Sequence, residues 1–288
     1  MSLVKMSNLL KRAETKKIGC GSFSVYSMEM LMGVLEAAEK TKTPLIIQLA
    51  EARFSTAPLE LMGPMMIGAA KSASVDIAVH LDHGKNLNVV RRALELGFTS
   101  VMYDGSALSF QENIERTKEV KRMAEQYGAD VEAELGLVGS DEGGGHDYGI
   151  ACTVPEDAET FVERTGVEAL AVAIGNQHGN YPTAPKLRFD ILRDIHKKVP
   201  NQSLVLHGGS GISDQDFQIC IKNGIRKINI ATAILNAMTE ASNFYTAAQK
   251  PGNYYGMNRE MVQASARVTE HHIHVFNMMG AGSLAVNT

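Results

Sequence analysis

DIAVHLDHGKNLNVVRRALELGFTSVMY, residues 76–103, contains one complete strand–helix–strand unit. The short apolar runs at 76–81 and 99–103 are typical of buried strands, and the segment 86–96 repeats its apolar residues every three or four positions, as an amphipathic helix does. A strand, a crossover helix and a second strand favour parallel pairing. This segment therefore predicts a βαβ unit.

The same unit repeats along the chain. Strands are predicted at 18–24, 44–49, 76–81, 99–103, 130–134, 169–174, 203–207 and 226–230. Helices are predicted at 28–41, 57–72, 86–96, 111–127, 156–165, 187–198, 214–223 and 232–248. Eight βα units in 288 residues fit one closed barrel, for which about 250 residues is typical. The predicted fold class is α/β, a (β/α)₈ TIM barrel.

An open, doubly wound sheet is the alternative arrangement of these units. It would be expected to carry a Gly-rich fingerprint after its first strand, and Gly19–Cys20–Gly21 is a poor match. No Pro/Gly/Ser-rich linker divides residues 1–288, so we expect a single domain. A short surface helix is expected at the N-terminus, and the glycine density of 138–149 predicts a mobile loop.

Composition excludes several classes of partner. The formal net charge of −4 argues against nucleic acid, whose protein partners are usually basic. No apolar run reaches the roughly 18 residues that a membrane span needs. The N-terminal stretch has no long apolar run of a signal peptide, and the three cysteines are widely spaced without a CxxC motif. We therefore expect a cytoplasmic protein with reduced thiols.

Three histidines lie where barrel strands are expected to end. In a barrel, residues at the carboxyl ends of the strands face the active site, and His83, His178 and His207 each stand there beside a glycine. One such histidine alone is more simply a strand cap, but three on one rim are what a zinc site with an open position requires. Asp82 and His83 would face opposite ways on a regular strand, so we expect a bend, which Gly84 permits.

Two short loops follow the seventh and eighth predicted strands, and the first of them is rich in glycine. The segments 207–211 and 229–232 each lead into a helix, whose first backbone N–H groups attract anions. Barrels often hold phosphate between these two loops. The position predicts a phosphate site, although a pair of ordinary glycine turns remains the alternative.

Acidic residues accompany both features. Asp82, beside a candidate metal ligand, is a candidate proton donor. Asp104 and Glu134 could serve a second metal position or act as structural acceptors. In the loop, Asp141 and Glu142 could supply a general base or stay solvated.

The motifs together resemble a known family. HLDHG (80–84), DGS (104–106), EAELG (132–136), ALAVAIGNQHG (169–179), VLHGGSGI (205–212) and KINIAT (227–232) resemble, in order and spacing, the class II metal-dependent ketose-bisphosphate aldolases. The resemblance extends from about Gly19 to the end of the chain. It implies a barrel that forms a homodimer or homotetramer and binds Zn²⁺, with a second divalent or a monovalent cation left open.

The resemblance also implies roles for individual residues. The zinc ligands would be His83, His178 and His207, with Asp104 and Glu134 at acidic positions that can take an alternative metal. Asp82 would handle the proton on the aldehyde's oxygen, which is the C4 hydroxyl of the ketose in retro-aldol terms, and Glu142 would move the proton on the dihydroxyacetone phosphate carbon. The dihydroxyacetone phosphate end would be held by Gly179, Gly208, Gly209, Ser210, Asn229, Ile230, Ala231 and Thr232.

The chemistry agrees with these roles. Deprotonating a carbon beside a carbonyl requires stabilisation of the enediolate, and a zinc ion on the substrate oxygens supplies it as a Lewis acid. A covalent lysine route is not favoured, although Lys227 lies just before Asn229 on the same strand.

Three positions depart from the fructose-bisphosphate members of the family. Ala231 stands where their eighth strand has an Asp, as in tagatose-type members. The segment 48–53 replaces a Ser/Gly-rich turn, so Glu51 and Arg53 are expected to shape the distal pocket. The Arg of a late DPR motif is missing at 251–253, which leaves Arg259 as a candidate ligand of the distal phosphate. These changes favour a tagatose-type or other phosphorylated ketose over fructose bisphosphate.

The leading hypothesis is thus a zinc-dependent aldolase that releases dihydroxyacetone phosphate. A metal-dependent sugar-phosphate epimerase or isomerase is the alternative enzyme. A non-catalytic barrel subunit of an aldolase complex is the third hypothesis, and it predicts decay of a His/Asp set that is here complete.

Overall fold

The computed structural model describes residues 2–140, 151–181, 183–248 and 253–278. Its strands are β1 (Cys20–Ser24), β2 (Leu45–Ala50), β3 (Ile77–Gly84), β4 (Ser100–Tyr103), β5 (Asp130–Leu135), β6 (Gly139–Ser140), β7 (Ala169–Val172), β8 (Gln177–His178), β9 (Ser203–Leu206) and β10 (Ile225–Ile230).

The helices alternate with these strands. They are α1 (Met6–Lys16), α2 (Met28–Thr41), α3 (Leu59–Ser72), α4 (Leu87–Glu95), α5 (Phe110–Gln126), α6 (Pro155–Thr165), α7 (Phe189–Lys198), α8 (Asp214–Lys222), α9 (Thr232–Ala248) and α10 (Tyr254–Phe276). A short 3₁₀ turn, Glu51–Arg53, follows β2. Helix α5 begins with a capping box in which Ser109 and Glu112 satisfy each other's backbone N–H groups.

Eight of the strands form a closed parallel barrel. Their order around it is β1-β10-β9-β7-β5-β4-β3-β2, so each barrel strand pairs with the barrel strands that come before and after it in the chain, and β1 pairs with β10. The predicted (β/α)₈ barrel is confirmed, and the doubly wound alternative is excluded by the closure between β1 and β10. All eight predicted strands and all eight predicted helices are present. The grouping of residues 1–288 into one domain stays a prediction.

Helix α1 closes the N-terminal end of the barrel. Its buried face packs on inward-facing strand residues in one apolar cluster, made of Met6, Leu9, Leu10, Ala13, Cys20, Ile46, Ala78, Ala169, Ala171 and Val205. The Asp130 carboxylate accepts a hydrogen bond of 2.7 Å from the Ser7 backbone N–H, which serves the exposed amides at the start of α1. Small residues on the strands leave the space that the helix side chains fill.

The two short strands lie outside the barrel sheet. β6 pairs with β8, with Gly139 opposite Gln177 and Ser140 opposite His178. This pair places the start of the predicted mobile loop (138–149) beside His178; residues 141–149 of that loop lie outside the described residues. Among the described helices, none combines the length and apolarity needed to cross a membrane.

Candidate active site

The end of β3 is bent, as the adjacent Asp82 and His83 require. His83 has a φ of 47°, in the left-handed region that residues with a Cβ rarely adopt. The pairing of β3 with β4 shifts register between Leu81 and Gly84. A Cβ on Gly84 would lie 2.7 Å from the Met102 carbonyl oxygen, so only glycine fits there. The expected bend is confirmed, and both Asp82 and His83 face the end of the barrel.

Three imidazoles converge at this end from β3, β8 and the residue after β9. His83 Nε2 lies 3.1 Å from His178 Nε2 and 2.9 Å from His207 Nδ1. The three rings meet edge to face, with centroids 4.7 to 5.6 Å apart. Three rings that are far apart in the chain are therefore neighbours at this end of the barrel, and their role as metal ligands stays a prediction.

Carboxylates hold the far nitrogens of two of these rings. Asp104 Oδ2 lies 3.1 Å from His83 Nδ1, and Glu132 Oε1 lies 2.7 Å from His207 Nε2. A carboxylate behind an imidazole fixes the tautomer and the ring orientation and is typical of metal-ligating histidines. The nitrogens of His83 and His207 that face each other are thus the ones turned away from these two carboxylates.

Further acidic groups surround His83. His83, Asp104 and Glu134 form a second set of side chains able to hold a cation. Burial lowers the pKa of His83, but the neighbouring carboxylates, Asp82 first among them, more than offset this and raise the pKa to about 10. Burial, followed by repulsion from Asp104, raises the pKa of Glu134 to about 8. The site therefore concentrates negative charge that a cation would balance.

A divalent cation fits this arrangement. Tetrahedral nitrogen ligands at about 2.0–2.1 Å from zinc lie roughly 3.3 Å apart, close to the 2.9 and 3.1 Å separations measured between the imidazoles. Burial lowers the pKa of both His178 and His207, which favours the neutral form that metals bind. Glu134 Oε2 is buried and makes no hydrogen bond among the described residues.

Two amide side chains hold Asp82. Its Oδ1 accepts a hydrogen bond from Asn229 Nδ2 at 3.1 Å, and its Oδ2 accepts one from Gln48 Nε2 at 3.0 Å. Asp82 Oδ1 also lies 4.0 Å from His83 Nε2. The carboxylate is therefore fixed next to the imidazole cluster rather than mobile in solvent.

The loops after β9 and β10 adjoin each other, as predicted for an anion site. Gly209 N–H donates to the Asn229 carbonyl at 3.1 Å, and Ala233 N–H donates to Ser210 Oγ at 3.0 Å. Gly208 has a φ of 64°, and a Cβ there would lie 1.9 Å from the Gln177 carbonyl oxygen. Helix α9 begins at this junction, so its dipole favours an anion nearby.

A cavity of about 380 Å³ opens beside these loops. Its lining includes Ser210, Gly211, Ala233, Asn180, Tyr181 and Asn236. The Tyr181 hydroxyl accepts from Gln177 N–H and donates to the Gly208 carbonyl, each at 2.9 Å, and so fixes the loop before the cavity. No sequence motif indicates Tyr181, Asn180 or Asn236, because their approach depends on how segments that are distant in the chain fold back.

The remaining predicted residues have varied positions. Gly179 follows β8 with a φ of 87°. Ile230 is fully buried, so any contact with a ligand would involve its backbone, while Ala231 and Thr232 lie at the start of α9. Glu142 lies outside the described residues.

Glu51, which the sequence places near the distal pocket, contacts the loop that follows β3. Its carboxylate accepts backbone hydrogen bonds from Lys85 at 2.7 Å and Asn86 at 3.3 Å. This contact holds the loop just beyond His83. Glu51 thus supports the loop beside His83 through backbone hydrogen bonds.

A closed parallel barrel with imidazoles and carboxylates grouped at its carboxyl end defines a TIM-barrel enzyme. The chain belongs to the family described as "Fructose-bisphosphate aldolase class-II", which it matches over residues 4–281. It is therefore a class II aldolase, a lyase of a family that is generally metal-dependent and acts on phosphorylated sugars.

Several proteins are similar to the chain over most of its length. Escherichia coli K12 protein YdjI is 42% identical over 230 residues, which cover 78% of this chain and 81% of that protein. A crystal structure described as the YdjI aldolase matches with a TM-score of 0.85, at 36% identity over 95% of this chain and 97% of that one. The sulfofructosephosphate aldolase of Alkalicoccus urumqiensis is 39% identical over 242 residues, or 83% and 84% of the two chains. The fructose-bisphosphate aldolase of Geobacillus stearothermophilus is 35% identical over 275 residues, or 92% and 94%.

Proposed function

We propose that the chain is a zinc-dependent aldolase that reversibly cleaves a phosphorylated ketose to dihydroxyacetone phosphate and an aldehyde. The observation that carries this proposal is the convergence of His83, His178 and His207 beside Asp82. Three imidazoles with an open fourth position are a common ligand set of catalytic zinc. When bound, the cation supplies Lewis-acid stabilisation of negative charge on the substrate oxygens, worth several kcal/mol.

Asp82 exchanges a proton with the substrate C4 oxygen. In cleavage the carboxylate takes the hydroxyl proton, and in synthesis it returns that proton to the new alkoxide. The two amides that hold Asp82 keep its carboxylate beside the imidazole cluster, which is the orientation that proton transfer needs. Glu142 moves the proton on the dihydroxyacetone phosphate carbon; it lies two residues after Ser140, whose backbone pairs with His178.

The dihydroxyacetone phosphate end is held by the loops at Gly179, Gly208–Ser210 and Asn229–Thr232. The joined loops, the start of α9 and the adjacent cavity support this placement. Asp104 and Glu134 offer an alternative position for the cation or for a second one, because they flank His83.

A turnover screen tests the proposal. Fructose bisphosphate, tagatose bisphosphate and a sulfofructose phosphate are offered with zinc, and released dihydroxyacetone phosphate is measured in a coupled assay. The sulfosugar is included because the sulfofructosephosphate aldolase of Alkalicoccus urumqiensis is 39% identical to this chain. Zinc-dependent release from one of these ketoses is expected. Accumulation of an epimer or isomer without any release would overturn the proposal in favour of the epimerase or isomerase.

We also propose a homodimer or homotetramer. Large aromatic surface on α9 and α10 supports an interface, since Phe244, Tyr254 and Tyr255 are each more than half exposed. Light scattering of the purified protein measures the assembly, and a monomer at micromolar concentration would overturn it. A cytoplasmic location stays a prediction.

A further inference from the structure

Lys227 is buried beneath the site, with no exposed surface. It lies on β10 two residues before Asn229, so strand alternation directs both side chains into the barrel. Its Nζ lies 2.7 Å from Asn229 Oδ1 and 3.5 Å from Gln48 Oε1, and forms an ion pair of 2.9 Å with Glu132 Oε2. A buried ammonium costs several kcal/mol to desolvate, and such pairs are weak contributors to stability. We therefore expect Lys227 to have a role other than stabilising the fold.

The ammonium sets the direction of two amides. An ammonium only donates hydrogen bonds, so it must face the amide oxygens of Asn229 and Gln48. Their NH₂ groups then face Asp82, at 3.1 and 3.0 Å. If either amide were flipped, its NH₂ group would face the Lys227 ammonium and its oxygen would face the Asp82 carboxylate. The Ser22 hydroxyl, which donates to Gln48 Oε1, supports the same orientation.

The same ammonium acts on the imidazole cluster through Glu132. One oxygen of Glu132 pairs with Lys227 and the other accepts from His207 Nε2 at 2.7 Å. That hydrogen bond leaves His207 Nδ1 directed at His83 Nε2, 2.9 Å away. Removal of the Lys227 ammonium would take away the positive charge that pairs with the buried Glu132 carboxylate, and an unpaired buried charge is costly.

We propose that Lys227 is a positioning residue: it fixes both amides that hold Asp82 and balances the carboxylate that orients His207. This inference rests on the proposed function, because it concerns the residues that would move the proton and hold the cation. The buried ammonium of Lys227 thereby links the residues that hold Asp82 with the carboxylate that orients His207. Lys227 does not act by forming a covalent bond with substrate, since its Nζ is buried against three acceptors.

The Lys227→Met variant tests this coupling. We expect kcat to fall at least tenfold with KM within about threefold, and zinc affinity to weaken by about 10–100-fold, as for other residues that support metal ligands. Zinc affinity is measured by chelator competition, which needs no substrate. Retention of both kcat and zinc affinity within twofold of the wild-type values would overturn the proposal.

Arg226→Met is the matched control. Arg226 is the adjacent residue of β10 and is also buried, but it pairs with Glu14 of α1 and donates to the Ile221 carbonyl. Its loss should lower the melting temperature while zinc affinity and kcat stay near wild type. If Arg226→Met weakens both as much as Lys227→Met, the effect is general destabilisation and the proposal fails.

A double variant and a neutron structure keep the test decisive if Lys227→Met does not fold. Lys227→Met with Glu132→Gln removes both charges of the ion pair, and the loss of kcat should persist because the amides are no longer directed; recovery of wild-type kcat would overturn the proposal. In the wild-type protein, neutron diffraction should find deuterium on the Asn229 and Gln48 nitrogens facing Asp82. A flipped amide would contradict the account.

Failure of the proposed function would look different. If the wild-type protein cleaves none of the ketoses, the substrate assignment is wrong, yet the zinc affinities of the Lys227 and Arg226 variants still report on the positioning role. Trapping of a substrate adduct on Lys227 by borohydride would overturn the inference while leaving aldol cleavage intact.

Discussion

The two ends of the barrel are built from the same eight strands and differ in chemistry. At the N-terminal end, Leu9 and Leu10 of α1 pack against small and aliphatic strand residues such as Ala78. At the carboxyl end, the same strand that contributes Ala78 ends in Asp82 and His83, which belong to a network of imidazoles, carboxylates and amides. Asp82 follows Ala78 by only four positions on β3, so the apolar and the charged layers lie close together along one strand.

This difference shows how the fold divides its tasks. The apolar end stabilises the barrel through buried area and tight packing, whereas the charged end keeps buried polar groups that cost free energy unless each has a partner. We therefore expect substitutions at the charged end to change metal binding and turnover with a modest effect on stability. Substitutions at the apolar end should do the opposite.

The largest expected effect is that of His178→Ala at the charged end. Loss of one of three converging imidazoles should abolish zinc retention and lower turnover by orders of magnitude, since the cation supplies several kcal/mol. Metal analysis of the purified variant measures the zinc content. His271→Ala is the control, because His271 lies on the surface with Asp214. Full zinc content in His178→Ala would count against the assignment.

Asp82→Ala should separate proton transfer from metal binding. The variant should keep its zinc and its fold but lose roughly 10²–10⁴-fold in cleavage rate, the usual contribution of a positioned acid or base. Steady-state kinetics, metal analysis and circular dichroism are measured on the same sample. Asp190→Ala, a surface carboxylate paired with Arg188, should change none of them. Unchanged turnover would remove Asp82 from the mechanism.

Leu10→Ala probes the apolar end. Leu10 is 1% exposed, and its truncation should lower the free energy of unfolding by about 2–5 kcal/mol through lost burial and a cavity. Turnover and zinc affinity measured below the unfolding transition should stay within twofold of wild type. Leu61→Ala is the matched control, because Leu61 is 71% exposed and should cost no more than about 0.5 kcal/mol. If Leu10→Ala abolished zinc binding, the two ends would not be separable.

The smallest expected effect is a pH dependence at His272. Burial lowers the pKa of His272 from 6.5 to about 4, although the Val268 carbonyl that accepts from its Nδ1 opposes this. Because the folded state holds the neutral ring, the stability that depends on it is present above pH 6.5 and is lost as the pH falls towards 4. We expect a loss of about 1–3 kcal/mol over that range, absent in His272→Leu. Urea unfolding at saturating zinc measures the difference; equal pH dependence in both proteins would refute it.

Much of the fold could be predicted because barrel strands carry a local signal. The observed strand β3 begins one residue after its predicted start and continues to Gly84, past the predicted end, because the bend at His83 lies within the strand. The three histidines could be found from their positions at strand ends, since all eight strands of a parallel barrel end on the same side. Once the barrel is predicted, it follows that the three histidine side chains lie at the same end of it.

The supporting contacts could not be predicted, because they depend on the register between strands that are distant in the chain. Glu132 and Glu134 both face inward from β5, yet only the structure shows that Glu132 supports His207 and pairs with Lys227. Likewise, Gln48 reaches Asp82 because β2 and β3 pair in register. Spacing along a strand predicts which face of the sheet a side chain is on. It does not predict which residues of a neighbouring strand lie at the same level along the barrel.

The central claim is that His83, His178 and His207 share one cation. The most direct test is anomalous diffraction at the zinc edge from crystals of the zinc-loaded protein. We expect one peak about 2.0–2.1 Å from His83 Nε2, His178 Nε2 and His207 Nδ1. The absence of a peak there, or a single peak at the surface histidines of α10, would contradict it.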